Sequence, residues 1–277
     1  MSFPPFTLGM GQMLVEGGAR EENLNRATRM IQQAAELGCA VLVLPECLDT
    51  GWLHPSAQTL SEAIPGPSSD LLCNAASRAG VHVAAGLTER DGDRIYNTAV
   101  LISPDGAILL KHRKINILKV AQDIYCIGDR LGVAHTPLGT FALDICADNF
   151  PNSLALGESL CRMGADIILS PSAWAVAADF DNSPQPYGGT WQDAYGQLSR
   201  LYGVWVVGVS NVGSITGGPW KGMKCIGYSL AMAPGARPAA QGPFGEEAQA
   251  LVPVPVELTQ RPAAGTDWAD LLQERQQ

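Results

Sequence analysis

The sequence predicts an α/β fold in which a mixed β-sheet is covered by helices. Three observations lead there. Short, fully apolar runs alternate with segments whose apolar residues recur at helical spacing. Some successive strand runs are joined by tight turns instead of helices, so the sheet cannot be purely parallel. Finally, 277 residues that are 46% hydrophobic and only 16% charged supply a large core. The chain reads as a single domain over 1–277, with 259–277 as a polar C-terminal tail whose apolar patch at Trp268, Leu271 and Leu272 would pack on a partner subunit.

Taken in order, residues 7–14 alternate loosely and form a first strand. Residues 20–37 place Leu24, Ala27, Ile31, Ala34 and Ala35 on one helical face, stopped by Gly38. Residues 40–44 are a fully apolar strand that runs straight into Pro45-Glu46-Cys47. Glu46 is then either a functional acid at the end of a buried strand or the start of an exposed loop holding Asp49, Thr50 and Gly51. The cluster Pro65-Gly66-Pro67-Ser68 opens a second helix carrying Leu71, Leu72, Ala75, Ala76 and Ala79, closed by Gly80. Residues 81–87 form a strand in which His82 reads as a core or edge histidine. A hairpin joins 97–102 to 107–110 around Ser103-Pro104-Asp105-Gly106. It ends in Lys111-His112-Arg113-Lys114, a polar run of which three members read as solvated surface. Residues 116–136 have no clear period and read as an active-site loop.

The next apolar run, 138–145, ends abruptly in Cys146, followed by Ala147-Asp148-Asn149-Phe150-Pro151. A strand here would deliver the thiol to a sharp turn. A helical pattern with Leu156, Leu160 and Met163, capped by Asn152, would then place Cys146 near a helix N-terminus and lower its pKa. The plain alternative is a buried cysteine acting as a small hydrophobe. Residues 165–171 form another strand, ending in Ser172-Ala173-Trp174. The Pro/Gly-containing stretch 176–190 is long enough to cover a substrate. A third helix with Trp191, Ala194, Tyr195, Leu198 and Leu201 leads through Gly203 into a strand at 204–211. Strand signals recur at 226–233 and 250–256, and Pro253 and Pro255 confine the last to a sheet edge.

Composition excludes several classes. Lys+Arg 18 against Asp+Glu 27 gives a net charge of -9, which argues against nucleic-acid or anionic-membrane binding. No apolar run approaches a membrane span, and the N-terminal residues lack a signal-peptide pattern, so a cytoplasmic protein is expected. The seven cysteines are scattered, with no metal-ligand spacing, which predicts reduced thiols and no metal site. Dinucleotide, P-loop and serine-hydrolase fingerprints do not occur.

Glu46 in Leu44-Pro45-Glu46, Lys114 in His112-Arg113-Lys114-Ile115 and Cys146 in Asp144-Ile145-Cys146 all stand at the ends of predicted buried strands. In this order they resemble the Glu-Lys-Cys triad of the nitrilase superfamily, the carbon-nitrogen hydrolases. The likeness covers residues 7–258 and extends to Phe150-Pro151, Gly164-Ala165-Asp166, Pro171-Ser172-Ala173-Trp174, Asn211-Val212-Gly213 and Gly227-Tyr228-Ser229. It implies a four-layer αββα sandwich, subunits paired through helices into a homodimer or higher oligomer, and hydrolysis of a small-molecule amide or nitrile without metal or organic cofactor. By the same resemblance Glu46 is the general base, Lys114 and the Ala147 N–H hold the oxyanion, and Cys146 is the nucleophile.

Two departures stand out. The turn from Cys146 to Phe150-Pro151 is one residue shorter than is common in the family. The loop after Lys114 offers only Asp123 where many members carry a second glutamate. Trp52 and Trp174, with the acids Asp179 and Asp181, are further candidates to line or overhang the pocket. Ala147-Asp148 after the nucleophile, where nitrilases usually have Trp-Glu, favours an amidohydrolase acting on a linear amide or N-carbamoyl compound. A nitrilase, an acyl transferase, a silent metabolite-binding member and a thiol redox sensor are the alternatives.

Overall fold

The computed structural model describes residues 3–184 and 186–258; the tail expected to meet a partner lies outside them. The elements run β1 (Phe6–Gln12), α1 (Arg20–Glu36), β2 (Val41–Val43), α2 (Ala57–Leu60), α3 (Pro67–Ala79), β3 (His82–Asp91), β4 (Arg94–Ile102) and β5 (Ile108–Arg113). They continue β6 (Val133–Thr136), β7 (Gly139–Leu143), α4 (Leu154–Arg162), β8 (Ile167–Ser172), β9 (Ala175–Val176), α5 (Gly189–Tyr202) and β10 (Trp205–Ser210). The series closes with β11 (Val212–Ser214), β12 (Lys224–Ile226), β13 (Leu230–Ala233), β14 (Arg237–Gln241) and β15 (Ala250–Val256).

Two six-stranded sheets result, in the orders β15-β1-β2-β3-β4-β5 and β14-β13-β10-β8-β7-β6, with a small sheet β11-β12-β9 beside them. Both large sheets are mixed. β1, β2 and β3 run parallel, as do β7, β8 and β10, while the flanking strands pair antiparallel. Strand alternation divides the core into layers. Val41 and Val43 face the space between the sheets, with Leu8, Met10, Ala84, Ala99 and Leu101, against Phe141, Leu143, Ile167 and Leu169. Leu42 and Leu44 face outward with Val83, Ala85, Val100 and Ile102, beneath Leu24, Ala27 and Ile31 of α1 and Leu72 and Ala75 of α3. Helix α5 covers the second sheet through Ala194 and Leu198 and packs on α4. The expected αββα sandwich is what the chain forms. Each fully buried Leu, Ile or Val contributes on the order of 1.5–3 kcal/mol, so a charge at Val43 would be placed where no solvent reaches it.

The edge expected at 250–256 is also found: among the described residues β15 pairs with β1 alone, over seven residues, from Ala250 opposite Gln12 to Val256 opposite Phe6. Pro253 and Pro255 are two apart, so both missing N–H groups fall on one side of the strand, and the other side keeps its donors for β1. The hairpin β3–β4 is longer than the sequence pattern indicated. Thr88, Glu89 and Arg90 interrupt the apolar pattern yet remain paired in the sheet as far as Asp91 opposite Arg94. Glu89 stays there because Lys111, Arg113 and Thr98 all donate to its carboxylate.

Candidate active site

Three strand ends converge between the sheets. Beyond β2 the chain still hugs β3, with Leu44 N–H donating to Ala84 O (2.8 Å) and Leu48 N–H to Gly86 O (2.9 Å), and Glu46 lies in the bend between them. That bend requires a glycine opposite: a Cβ on Gly86 would meet Glu46 Cα at 2.6 Å and Pro45 O at 2.8 Å. Glu46 N–H donates to Ser172 O on the other sheet (3.2 Å). The loop 45–53 is buried throughout, including Asp49 and Thr50, so the exposed-loop alternative does not hold. Lys114 follows β5, and its N–H donates to Asn97 O (2.8 Å). Asn97 Nδ2 and Lys114 Nζ both donate to Glu46 Oε1, at 2.5 and 2.6 Å. Asn97, which the sequence did not single out, thereby fixes both charged residues at once.

Cys146 comes three residues after Leu143 of β7 with a φ of 46°, a left-handed conformation uncommon for a residue with a Cβ. Its N–H donates to Ser170 Oγ (3.2 Å). Cys146 is close enough to Glu46 for the carboxylate's charge to act on the thiol, and Glu46 Oε2 has no hydrogen-bond partner among the described residues. Burial, and then the Glu46 charge, push the Cys146 thiol well above its ordinary range, against the opposing pull of Lys114. The expected helix-terminus activation is therefore overturned. Cys146–Asn149 is a 3-10 turn, α4 starts only at Leu154, and Asn152 is an exposed residue ahead of the Ser153 cap position. Burial also opposes the Lys114 ammonium, but the charge of Glu46 and the bond to it outweigh this and hold Lys114 above the usual lysine range. The resting site is thus a neutral thiol beside a carboxylate–ammonium pair.

A second set of residues locks the cysteine turn to the lysine strand. Asp148 is buried and accepts from Ile115 N–H (3.2 Å), Asn116 N–H (2.7 Å), Ile145 N–H (3.0 Å) and His112 Nε2 (2.9 Å). Asn116 Nδ2 returns a bond to Ala147 O (2.7 Å). The run Lys111-His112-Arg113-Lys114 is consequently solvated only in part, with Lys111 exposed and Arg113 half-buried. His112 and Lys114 are buried, and Arg113 and Lys111 are drawn onto Glu89. Alternation along β5 decides this, since charges that look continuous in sequence leave the strand on opposite faces.

The remaining candidates divide. The Ala147 N–H follows the nucleophile directly in the chain, within the Cys146–Asn149 turn. Trp52 lies beside the pair, with Lys114 Nζ 5.9 Å from its ring centroid. Trp174 is buried, stacks on Trp191 at 4.9 Å and leaves its Nε1 without a partner. Asp123, in contrast, is exposed and makes no hydrogen bond to the triad, so it does not stand in for a second buried glutamate. Its loop instead turns Tyr125 inward, 3.7 Å from Cys47 Sγ beside Glu46. Asp179 and Asp181 are likewise exposed, and Asp181 serves its own turn by accepting from Ser183. Among the described residues no group of His, Cys, Asp and Glu has metal-ligating geometry, and no helix is long and apolar enough to cross a membrane.

A sequence model described as carbon-nitrogen hydrolase matches residues 7–262. The chain belongs to this family. An omega-amidase of Xenopus tropicalis is 30% identical over 179 residues, covering 61% of this chain and 64% of the relative. The match thus spans slightly under two thirds of that relative's length. A nitrilase of Pyrococcus abyssi is 28% identical over 264 residues, covering 93% of this chain and 92% of its own. The fold matches that of an amidase of the nitrilase superfamily from Nesterenkonia with a TM-score of 0.77 and 18% identity, over 98% of this chain and 94% of the other.

Proposed function

We propose that this chain is a cysteine-dependent amidohydrolase that cleaves a small linear amide or N-carbamoyl compound through a thioester and releases ammonia. The observation that carries the reading is the burial, at three strand ends, of Cys146 against a Glu46 carboxylate that Lys114 holds at 2.6 Å. A thiol raised by burial does not attack by itself. Glu46 takes its proton as sulfur bonds to the acyl carbon. Lys114 Nζ and the Ala147 N–H meet the negative charge developing on oxygen. The proton on Glu46 then passes to the leaving nitrogen, ammonia departs, and Glu46 activates a water against the thioester to regenerate the thiol. Trp52 and Trp174 would wall the acyl group. Since Asp123 is exposed and bonds to none of the triad, Glu46 carries both proton transfers, with Asn97 and Lys114 holding it in place.

The relatives named omega-amidase support an amide, as does Ala147-Asp148 after the nucleophile. The nitrilase from Pyrococcus abyssi, matched over nearly its full length, supports the second reading, a nitrile hydrolysed to acid and ammonia. The test is ammonia release from small amides, carbamoyl compounds and nitriles, with Cys146→Ala as the blank, followed by one acyl group offered as both primary amide and nitrile. Higher kcat/KM for the amide is expected. A clear excess for the nitrile, with acid as product, establishes the second reading instead.

A further inference from the structure

Next to the nucleophile lies a buried polar cluster that the mechanism above does not use. Asp144, Asn149 and Ser170 are each completely buried. Asn149 Nδ2 donates to Asp144 Oδ1 (2.7 Å) and to Ser170 Oγ (3.1 Å), and Ser170 Oγ accepts the Cys146 N–H (3.2 Å). A continuous chain therefore runs from the Asp144 carboxyl to the main-chain amide of a residue held at a φ of 46°. Two oxygens of this acid–amide pair, Asp144 Oδ2 and Asn149 Oδ1, are sealed from solvent and receive no donor. With Asp144 ionised both are acceptors that nothing satisfies. One proton on Asp144 Oδ2 supplies the donor the pair lacks.

Resting on the reading of Cys146 as nucleophile, we propose that Asp144 is a positioning residue. As the neutral acid it holds Asn149 and Ser170, and through them the Cys146 main chain, in the reactive turn, and its ionisation releases that turn. The groups that face it agree with a neutral form. Asp148 presents a carboxylate from the same turn, His112 faces it from β5, Tyr195 from α5 and Ser170 from β8. Burial first, and then the Asp148 charge, raise Asp144 to about 7, against Ser170, His112 and Asn149. The acid thus titrates near neutrality. Because its native pKa lies above the ordinary 3.8, the protonated form is favoured by folding. The stability it contributes is present at low pH and is lost as pH rises towards 7.

The experiment is the rate of Cys146 alkylation by iodoacetamide in the full chain, located by mass spectrometry and followed on both sides of pH 7. Thiolate formation alone speeds alkylation as pH rises, so the readout is the rate relative to Asp144→Asn, which offers the same donor and acceptor as the neutral acid but cannot ionise and should show only that smooth rise. The unsubstituted protein should match it below pH 7 and fall on the order of ten- to a hundred-fold behind it above, the penalty of a misplaced nucleophile. Ser170→Ala leaves the acid in place but cuts the chain, so it should be slow throughout with no step at 7; it serves also if Asp144→Asn does not fold. A profile in either variant that superimposes on the unsubstituted one overturns the positioning role while leaving the nucleophile intact. Alkylation at another cysteine, or turnover surviving in Cys146→Ala, overturns the nucleophile and this proposal together.

Discussion

Each charged residue of the site has two duties, one chemical and one structural. Glu46→Gln keeps a carbonyl oxygen for Lys114 and Asn97 but removes the base. It should fold and lose roughly 10²- to 10⁴-fold in kcat/KM, and near-normal turnover would defeat the mechanism. Lys114→Met removes the oxyanion donor, at a cost on the order of 10²- to 10³-fold in kcat. It also leaves a buried carboxylate without its cation, so urea unfolding should show a loss of about 3–5 kcal/mol. Asp148 is the structural counterpart. It joins the cysteine turn to the residues on either side of Lys114 through three accepted bonds, from His112, Ile115 and Asn116, and a fourth, from Ile145, closes the turn itself. Asp148→Ala should cost both stability and kcat/KM; an enzyme with normal turnover would show that the turn is held without it.

Among the elements, the bend after β2 and the face of β5 are where sequence pattern and structure part. Gly86 lies in a strand that reads as uniformly apolar, and nothing local reveals that its missing Cβ makes room for Pro45 and Glu46. Gly86→Ala meets backbone, not a flexible side chain, so it should displace Glu46 and lower kcat/KM at least tenfold, on the order expected for a misplacement approaching 1 Å. A crystal structure with Glu46 unmoved and full activity would refute this. Glu89 on β3 is the second case, since burial raises its pKa but the bonds from Arg113, Lys111 and Thr98 outweigh that and bring it below the ordinary value. A depressed carboxylate contributes stability above its unfolded pKa and loses it as pH falls through the folded one. Acid titration followed by circular dichroism should therefore show Glu89→Gln less stable at neutral pH and less sensitive to acid than the unsubstituted chain. Equal acid sensitivity would count against the assignment. The run Lys111-His112-Arg113-Lys114 appeared to be surface because its partners, Glu89 and Asp148, are 22 and 36 residues away.

At the scale of the molecule, the outer layer formed by α4 and α5 leaves Met163 and Leu201 exposed, at 45% and 67%. Together with the resemblance, this leads us to expect a homodimer or a multiple of it, paired through these helices. Light scattering at micromolar concentration should give at least twice the 29.3 kDa of one chain, and Leu201→Asp with Met163→Asp should reduce it to a monomer. A monomer before substitution would overturn the expectation.

Alternation of apolar strands with helical faces, the edge prolines of β15 and the order of Glu46, Lys114 and Cys146 were all legible in the sequence. Each rests on a local period, a missing donor or a residue at the end of an apolar run. The tertiary structure alone decided the rest. It turned Asp123 out to solvent and Tyr125 in. It raised the Cys146 thiol where a helix start would have lowered it, and it recruited Asn97, His112, Asp148 and Asp144 from scattered positions. Burial and charge act through space, so a pKa or a buried acid's partners are set by which strands the sandwich brings together, a pairing that no window of the sequence contains.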